Sequence, residues 1–168
     1  MNSLGPENLV RLWERGQTQH SLDRALSLRS VAHPGRSFEE LASLSIGERD
    51  RLLLDARQRY FGGSLNAYCD CPACSAPLEY DLSVNDVREK ELPEPGGTFE
   101  LESEGLMIAY RLPTSYDLAR ALRERSEAGA YRKVLESCVL SIAPNGSFEE
   151  LSESDLTKIA AAMGKQDS

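Results

Sequence analysis

The first third of the chain has apolar residues at helical spacing, which predicts a series of short helices. The first helix begins at Pro6, whose missing N–H is no loss in a first turn. Leu9, Leu12 and Trp13 share its apolar face. The plainer interpretation of Trp13 is a buried anchor. The alternative is an exposed docking face, for which these three residues are the candidate protein-binding residues.

Serines mark the starts of the next three helices. One helix is predicted from Ser21 to a point before Pro34, because the residue ahead of a proline disfavours helix. Ser37 and Ser45 are each followed three residues later by glutamate, which is the pattern of a capping box. They open a short helix and a longer one over residues 46–60, which a glycine pair ends. The apolar side of the longer helix is expected to be buried; its members are Ile46, Leu52, Leu53, Ala56 and Tyr60.

The middle of the chain alternates between apolar and polar residues, which predicts two antiparallel hairpins. The first covers residues 65–82 and has three cysteines at its tip. The second covers residues 98–112. Residues 88–97, between the hairpins, combine prolines and glycines with charges, which is typical of a linker.

The last third returns to helical spacing. Thr114 is predicted to cap a helix that Gly129 breaks, and the next helix is expected to continue through Val139 and to end by Pro144. A final amphipathic helix is predicted over residues 152–163. Its inward residues are expected to be Leu156, Ile159, Ala160 and Met163, and residues 164–168 are expected to fray.

These elements predict an α+β fold in a single domain over residues 1–168. An N-terminal helical bundle covers residues 6–62, the antiparallel hairpins cover 64–112, and C-terminal helices cover 114–164. A length of 168 residues with 40% hydrophobic and 27% charged residues suits one compact globular domain.

The charge balance narrows the choice of partner. The chain has 19 Lys and Arg against 27 Asp and Glu, a net charge of −8. Such a chain is repelled by nucleic-acid phosphates and by anionic membrane surfaces, so a protein partner, especially a basic one, is expected. No apolar run approaches a membrane span, and the first residues lack a secretory pattern. We therefore expect a cytoplasmic protein, with its oligomeric state left open.

Three cysteines form the most distinctive motif. Cys69, Cys71 and Cys74 stand as C-x-C-P-x-C at the predicted hairpin tip, and C-P-x-C is how zinc knuckles present two thiolates from one turn. Tetrahedral zinc needs four ligands, and the sequence has no second C-x-x-C. The motif is therefore consistent either with an incomplete zinc site or with a hairpin that carries reduced thiols.

The other soft ligands are expected to have structural roles. Cys138 lies among apolar residues of a predicted helix, where a buried small hydrophobe is the plainer interpretation. His20 and His33 lie near helix ends, where surface or capping roles are commoner than metal ligation.

No constellation for catalysis is present. A nucleophilic cysteine needs a base, and neither histidine is near the cysteine motif in sequence. The glycine pairs lack a phosphate-binding pattern, and no G-x-S-x-G or H-E-x-x-H motif occurs. We expect a protein that is not an enzyme and that has no cofactor other than zinc.

Four stretches, in their order and spacing, resemble a known family. They are LWERG at 12–16 with HSLDRAL at 20–26, LSIGERD at 44–50 with YFG at 60–62, YCDCPAC at 68–74 with LEYDL at 78–82, and YRLPTSYDL at 110–118. Over residues 9–165 the chain is similar to the baseplate hub assembly chaperone family of tailed bacteriophages. More broadly, it is similar to the small baseplate proteins of contractile phage tails and phage-tail-like injection systems.

The resemblance implies an assembly factor or accessory component of the baseplate hub that acts by protein–protein contact. Its partners would be a hub, spike or tape-measure protein, and it could be incorporated in the assembled particle. The expected contact surfaces are the first helix and the proline-rich residues 92–97. The resemblance also implies a second C-P-x-C near the C-terminus, which this sequence lacks, so either the chain is a short form or its metal site is incomplete. The alternative is a stand-alone zinc-knuckle adaptor of an unrelated cytoplasmic complex.

Overall fold

The computed structural model describes residues 5–32, 35–88 and 96–167. The helices of this part are α1 (Pro6–Gly16), α2 (Ser21–Ala32), α3 (Phe38–Ala42), α4 (Ile46–Phe61), α5 (Val84–Val87), α6 (Ser115–Ala121), α7 (Glu127–Cys138) and α8 (Glu153–Gln166), with a 3-10 turn at Phe148–Glu150. The strands are β1 (Ser64–Asp70), β2 (Pro77–Ser83), β3 (Thr98–Ser103), β4 (Leu106–Arg111) and β5 (Val139–Ala143). The predicted α+β class, with helices at both ends of the chain, is confirmed.

The first two-stranded unit is the predicted hairpin. β1 and β2 pair antiparallel over their whole length, with Leu65 opposite Leu82 and Cys69 opposite Leu78. The short helix α5 follows β2 and was not predicted; Ser83 caps it, and Asp86 completes the capping box. Of the predicted linker, residues 89–95 lie outside the described residues.

The second sheet has one strand more than the sequence predicted. β3 pairs with β4, and β4 pairs with β5, all antiparallel. The expectation that a helix continues through Val139 is wrong, because α7 ends at Cys138 and β5 begins at once. Ile108 of β4 and Ile142 of β5 face each other across the ladder and are both buried. β-branched residues on a half-covered sheet favour this strand over another helical turn.

The main core lies between this sheet and the C-terminal helices. Its buried members are Ile108, Tyr110, Leu112, Leu135, Cys138, Ile142, Leu151, Leu156, Ile159 and Met163. The inward face predicted for the final helix is confirmed for Leu156, Ile159 and Met163, each at most 5% exposed. A smaller cluster of Leu26, Leu41 and Ala42 joins α2 to α3.

Helix α4 is less buried than its pattern indicated. The predicted apolar face of α4 is only half-buried. The buried residue of this helix is instead a charged one, Arg49, which is 9% exposed. The Arg49 guanidinium pairs with Asp50 and donates a hydrogen bond to the Ser115 hydroxyl. α4 is covered mainly by α2. The apolar side chains of α4 are therefore half-buried, where the sequence predicted that they would be buried.

Two predicted boundaries in the last third are also corrected. Gly129 does not break a helix; it lies in the first turn of α7, where its N–H donates to the Ser126 hydroxyl at 3.1 Å. α6 has already ended at Ala121, and residues 122–126 form the turn. The final helix does not fray after Met163, since α8 continues to Gln166.

Asp167 explains why the end of α8 is ordered. Its carboxylate accepts hydrogen bonds from the Ser45 hydroxyl at 2.6 Å and from the Gly47 N–H at 2.9 Å. These donors lie at the N-terminus of α4, where N–H groups lack helical partners and attract negative charge. Ser45 in turn accepts from the Glu48 N–H at 3.2 Å. Ser45 thus caps α4 as predicted, and Asp167 adds a second carboxylate at a helix start where Glu48 already lies in the first turn.

Candidate functional surfaces and the cysteine turn

Helix α1 carries an exposed apolar face. Trp13 is 68% exposed and Val10 is 55% exposed, whereas Leu9 and Leu12 are half-buried. The interpretation of Trp13 as a buried anchor is therefore wrong, and the docking alternative is the one that its exposure favours. The reason lies in the packing, since α1 makes its main contacts with α2 alone. The three candidate binding residues thus lie on one face of α1, and Trp13 is the one that solvent reaches most freely.

The second surface expected to contact partners is mostly outside the described residues. Of residues 92–97, the structure describes Gly96 and Gly97, which lead into β3. Gly96 has a φ of +72°, a left-handed conformation that suits glycine. Residues 92–95 lie outside the described residues.

The cysteine motif forms a tight turn at the tip of the first hairpin. The Cys71 N–H donates to the Ala76 carbonyl at 2.9 Å, and the Ser75 N–H donates to the Cys71 carbonyl at 2.8 Å. Ser75 closes the turn with a φ of +56°. Hydrogen bonds from the backbone N–H groups of Ala73 and Cys74, and from the Cys74 thiol, hold the pKa of Cys71 below its ordinary 9.0. The turn therefore favours the thiolate that both metal binding and alkylation require.

The cysteine turn has too few ligands to form a complete zinc site by itself. Cys71 is half-buried and Cys74 is exposed, and both are free thiols. Cys69 lies within β1, opposite Leu78. Among the residues that the structure describes, no group of three or more His, Cys, Asp or Glu side chains is arranged to hold a metal ion. The turn by itself offers a pair of sulfurs, which is half of a tetrahedral zinc site.

The other cysteine and histidines lie apart from the turn. Cys138 is fully buried in the main core, as expected, and burial raises the pKa of its thiol to about 12. His20 is exposed, and its Nδ1 accepts the Leu22 N–H at 3.3 Å, which is the expected capping role. His33 lies outside the described residues.

An ion pair between a half-buried arginine and a buried aspartate, which sequence reasoning missed, joins β4 to α6. The Arg111 guanidinium contacts both carboxylate oxygens of Asp117, at 2.7 and 2.9 Å, and also donates to the Ser137 carbonyl. Asp117 completes the capping box of α6 with Thr114. Burial alone would raise the pKa of Asp117, but the hydrogen bonds from Arg111 and Thr114 hold it below its ordinary value. The Arg111 guanidinium also lies 3.9 Å from the Cys138 sulfur, so the pair joins β4, α6 and the end of α7.

An apolar groove of about 890 Å³ opens between the N-terminal and C-terminal helices. Leucines and a tyrosine from three helices and the turn after α6 form much of its wall: Leu22, Leu118, Leu122 and Tyr131. Leu122 and Tyr131 are 58% and 46% exposed. Because the lining comes from separate elements, no local pattern in the sequence could have indicated it.

Comparison with known proteins decides the family. A family model described as T4 bacteriophage base plate protein matches residues 28–167. The chain belongs to that family. The match begins inside α2 and covers both sheets of this base plate protein, so α1 precedes the matched residues. No curated protein and no solved structure matches the chain.

Membership confirms the phage-baseplate part of the resemblance seen in the sequence. None of the helices in the described part of this base plate protein is both long and apolar enough to cross a membrane.

Proposed function

We propose that this base plate protein is a non-enzymatic assembly factor or accessory component of the baseplate hub. It would act in a contractile phage tail or a phage-tail-like injection system, by binding a hub, spike or tape-measure protein. The observation that carries the proposal is the exposed apolar face of α1, with Trp13 68% exposed. Exposed aromatic residues on an apolar helix face are characteristic of helices that dock in a partner's groove.

The energetic argument rests on the area that Trp13 leaves in water. A tryptophan side chain offers roughly 200 Å² for burial, so covering the exposed part is worth about 3 kcal/mol. Val10, 55% exposed, adds to this. Since α1 packs mainly on α2, a partner can cover these side chains without disturbing the main core.

The sequence of the helix also supports docking through one face only. Glu7, Arg11, Glu14 and Arg15 are exposed and polar, and they alternate in sign. This side of α1 therefore has neither an apolar surface nor a patch of one charge that a partner could recognise. A partner that recognises α1 therefore contacts the side that holds Trp13.

Co-purification tests the proposal. The tagged chain is expressed with each hub, spike and tape-measure protein encoded beside it, and stable complexes are separated by size. We expect one of them to form a stoichiometric complex that Trp13→Ala disrupts and Arg11→Ala, the matched polar-face variant, leaves intact. Failure of the unaltered chain to bind any of these proteins would overturn the proposal.

A second candidate is a zinc-knuckle adaptor, and the cysteine turn is the observation that favours it. Backbone N–H groups aimed at the Cys71 sulfur stabilise a thiolate, and Cys74 follows at the spacing that zinc knuckles use. In this proposal Cys71 and Cys74 hold zinc, Cys69 is the candidate third ligand, and the remaining ligand comes from a partner.

Cobalt substitution tests the zinc proposal without an activity assay. Cobalt bound by thiolates gives intense charge-transfer absorption, which we expect on titrating the reduced chain and which zinc should abolish. Cys71→Ser with Cys74→Ser should remove the signal, and Cys138→Ser should keep it. An unaltered chain that gives no thiolate–cobalt band, alone or with its partner, would exclude the zinc adaptor.

A further inference from the structure

Strand β2 has an open surface that the α1 proposal does not use. It is exposed at every residue from Pro77 to Asp81. It pairs with β1 on one side, and no other strand in the described ranges pairs with its outer edge. Two-stranded sheets are marginally stable alone, and they gain when a further strand joins them. The free edge of β2 therefore has room for an added strand.

The two faces of β2 differ in chemistry. Leu78 and Tyr80, 44% and 46% exposed, alternate along the strand with Glu79 and Asp81. Successive side chains of a strand point to opposite faces, so one face is apolar and the other acidic. β1 continues this division, since Tyr80 faces Ala67 and Asp81 faces Asn66 across the ladder.

In the part of the chain that the structure describes, no cationic side chain pairs with the acidic face. Residues 60–87 contain four carboxylates and no lysine or arginine. None of the ion pairs found among the described residues includes Glu79 or Asp81. Tyr68, 65% exposed, lies on the same face, opposite Glu79. Carboxylates beside an exposed aromatic ring are suited to arginine and lysine side chains.

From this arrangement we propose that the outer edge of β2 binds an extended segment of a basic partner protein. In that segment basic and apolar side chains alternate, and it adds to the hairpin as a third strand. Its basic residues lie beside Glu79 and Asp81, and its apolar residues lie beside Leu78 and Tyr80. Main-chain hydrogen bonds provide affinity, and the cross-strand pairs provide register and specificity.

A second copy of the chain fits this edge poorly. Pairing β2 with another β2 places Glu79 and Asp81 of both copies on neighbouring strands, and like charges in that position destabilise a sheet. A basic segment from a different protein meets the same edge with opposite charge. The proposal extends the protein-binding function to a separate surface, and its test uses no baseplate protein, so the two can fail independently.

Binding of a synthetic peptide tests the proposal on the full chain. The probe is a short labelled peptide of alternating arginine and valine, followed by fluorescence anisotropy at low salt. We expect saturable binding and slower hydrogen exchange in residues 77–83. A peptide with glutamine in place of arginine should bind about tenfold more weakly, and one of equal composition with its arginines grouped together should also bind more weakly. Equal binding of the grouped peptide would overturn the strand geometry.

Two double variants that remove the same charge show whether the peptide binds at the β2 edge or is attracted by the net charge of the protein. Glu79→Gln with Asp81→Asn should weaken peptide binding about tenfold, since each exposed charge pair contributes up to about 1 kcal/mol. Glu100→Gln with Glu102→Gln removes the same charge from exposed positions of β3 and should change binding less than about twofold. Equal losses in both, or no loss in either, would overturn the proposal. So would a β2-dependent dimer that the peptide does not disrupt.

Discussion

Arg111 and Asp117 lock the end of β4 to the first turn of α6 through two parallel hydrogen bonds, at 2.7 and 2.9 Å. Asp117 is 1% exposed, and it also accepts the Thr114 N–H at 2.9 Å and the Thr114 hydroxyl at 2.8 Å. One carboxylate therefore caps a helix and neutralises an arginine. This pair fixes the start of α6, and the packing of the buried Ala121 and the contacts with α7 hold the rest of the helix.

Breaking this pair should destabilise the fold. Asp117→Asn removes the buried carboxylate that pairs with the half-buried Arg111 and caps α6, and we expect the free energy of unfolding to fall by about 2 kcal/mol. Urea denaturation measures the change. The control is Glu136→Gln, which breaks the exposed pair with Lys133 and should cost less than about 1 kcal/mol. Similar losses in the two variants would contradict the structural role of the pair.

Stability should fall with acid because two buried carboxylates have lowered pKa values. Hydrogen bonds from Ser103 and Ser152 lower the pKa of Asp155, as those from Arg111 and Thr114 lower that of Asp117. Folded pKa values below the ordinary 3.8 give stability that is fully present above that pH and is lost as the pH falls through the folded values.

Denaturant unfolding between about pH 6 and pH 2 measures this dependence. Asp155→Asn should flatten it, and the exposed Glu102→Gln should not. A stability that is constant through the acid range, in a chain that remains folded, would show that these carboxylates are not held as described.

The cysteines should differ sharply in reactivity. The lowered pKa of Cys71 gives it more thiolate at any given pH than an ordinary cysteine, whereas the pKa of Cys138 is raised to about 12 within the core. Brief alkylation of the native reduced chain, followed by peptide mass spectrometry, should modify Cys71 well before Cys138. Denaturation should equalise the two. Early modification of Cys138 in the native chain would contradict its burial.

The contact between Asp167 and Gly47 gives a coupled prediction. A β-carbon at Gly47 would lie 2.5 Å from an Asp167 carboxylate oxygen, so Gly47→Ala must displace the carboxylate that caps α4. Asp167→Ala should cost about 1 kcal/mol, as the loss of a cap does. The double variant should be about as stable as Asp167→Ala alone, because the carboxylate is gone, the backbone carbon of residue 167 at 3.2 Å need yield only slightly, and alanine favours helix. Additive losses in urea denaturation would contradict this contact.

The sequence predicted those features that depend on neighbours along the chain. The Ser37 capping box, the hairpin over residues 65–82 and the inward face of α8 each follow from local spacing, and each is confirmed. The fold class followed from the same patterns. The cysteine motif was likewise visible, because its turn closes within a few residues.

The features it missed depend on distant partners. Residues 139–143 have apolar spacing that suits either a helix or a strand, and only the unpaired edge of β4 decides for β5. Asp167 lies 120 residues from the Gly47 N–H that it binds. The exposure of Trp13 was missed for the same reason, because an apolar face does not reveal whether the chain itself covers it.

The affinity of the purified chain for its co-purifying hub, spike or tape-measure partner tests the central claim most directly. Calorimetric titration should show that Trp13→Ala weakens binding about thirtyfold or more, as expected for an aromatic anchor worth at least 2 kcal/mol. Arg11→Ala, on the polar side of α1, should bind within about twofold of the unaltered chain. An unchanged affinity of Trp13→Ala for that partner would contradict the claim that α1 is the docking helix.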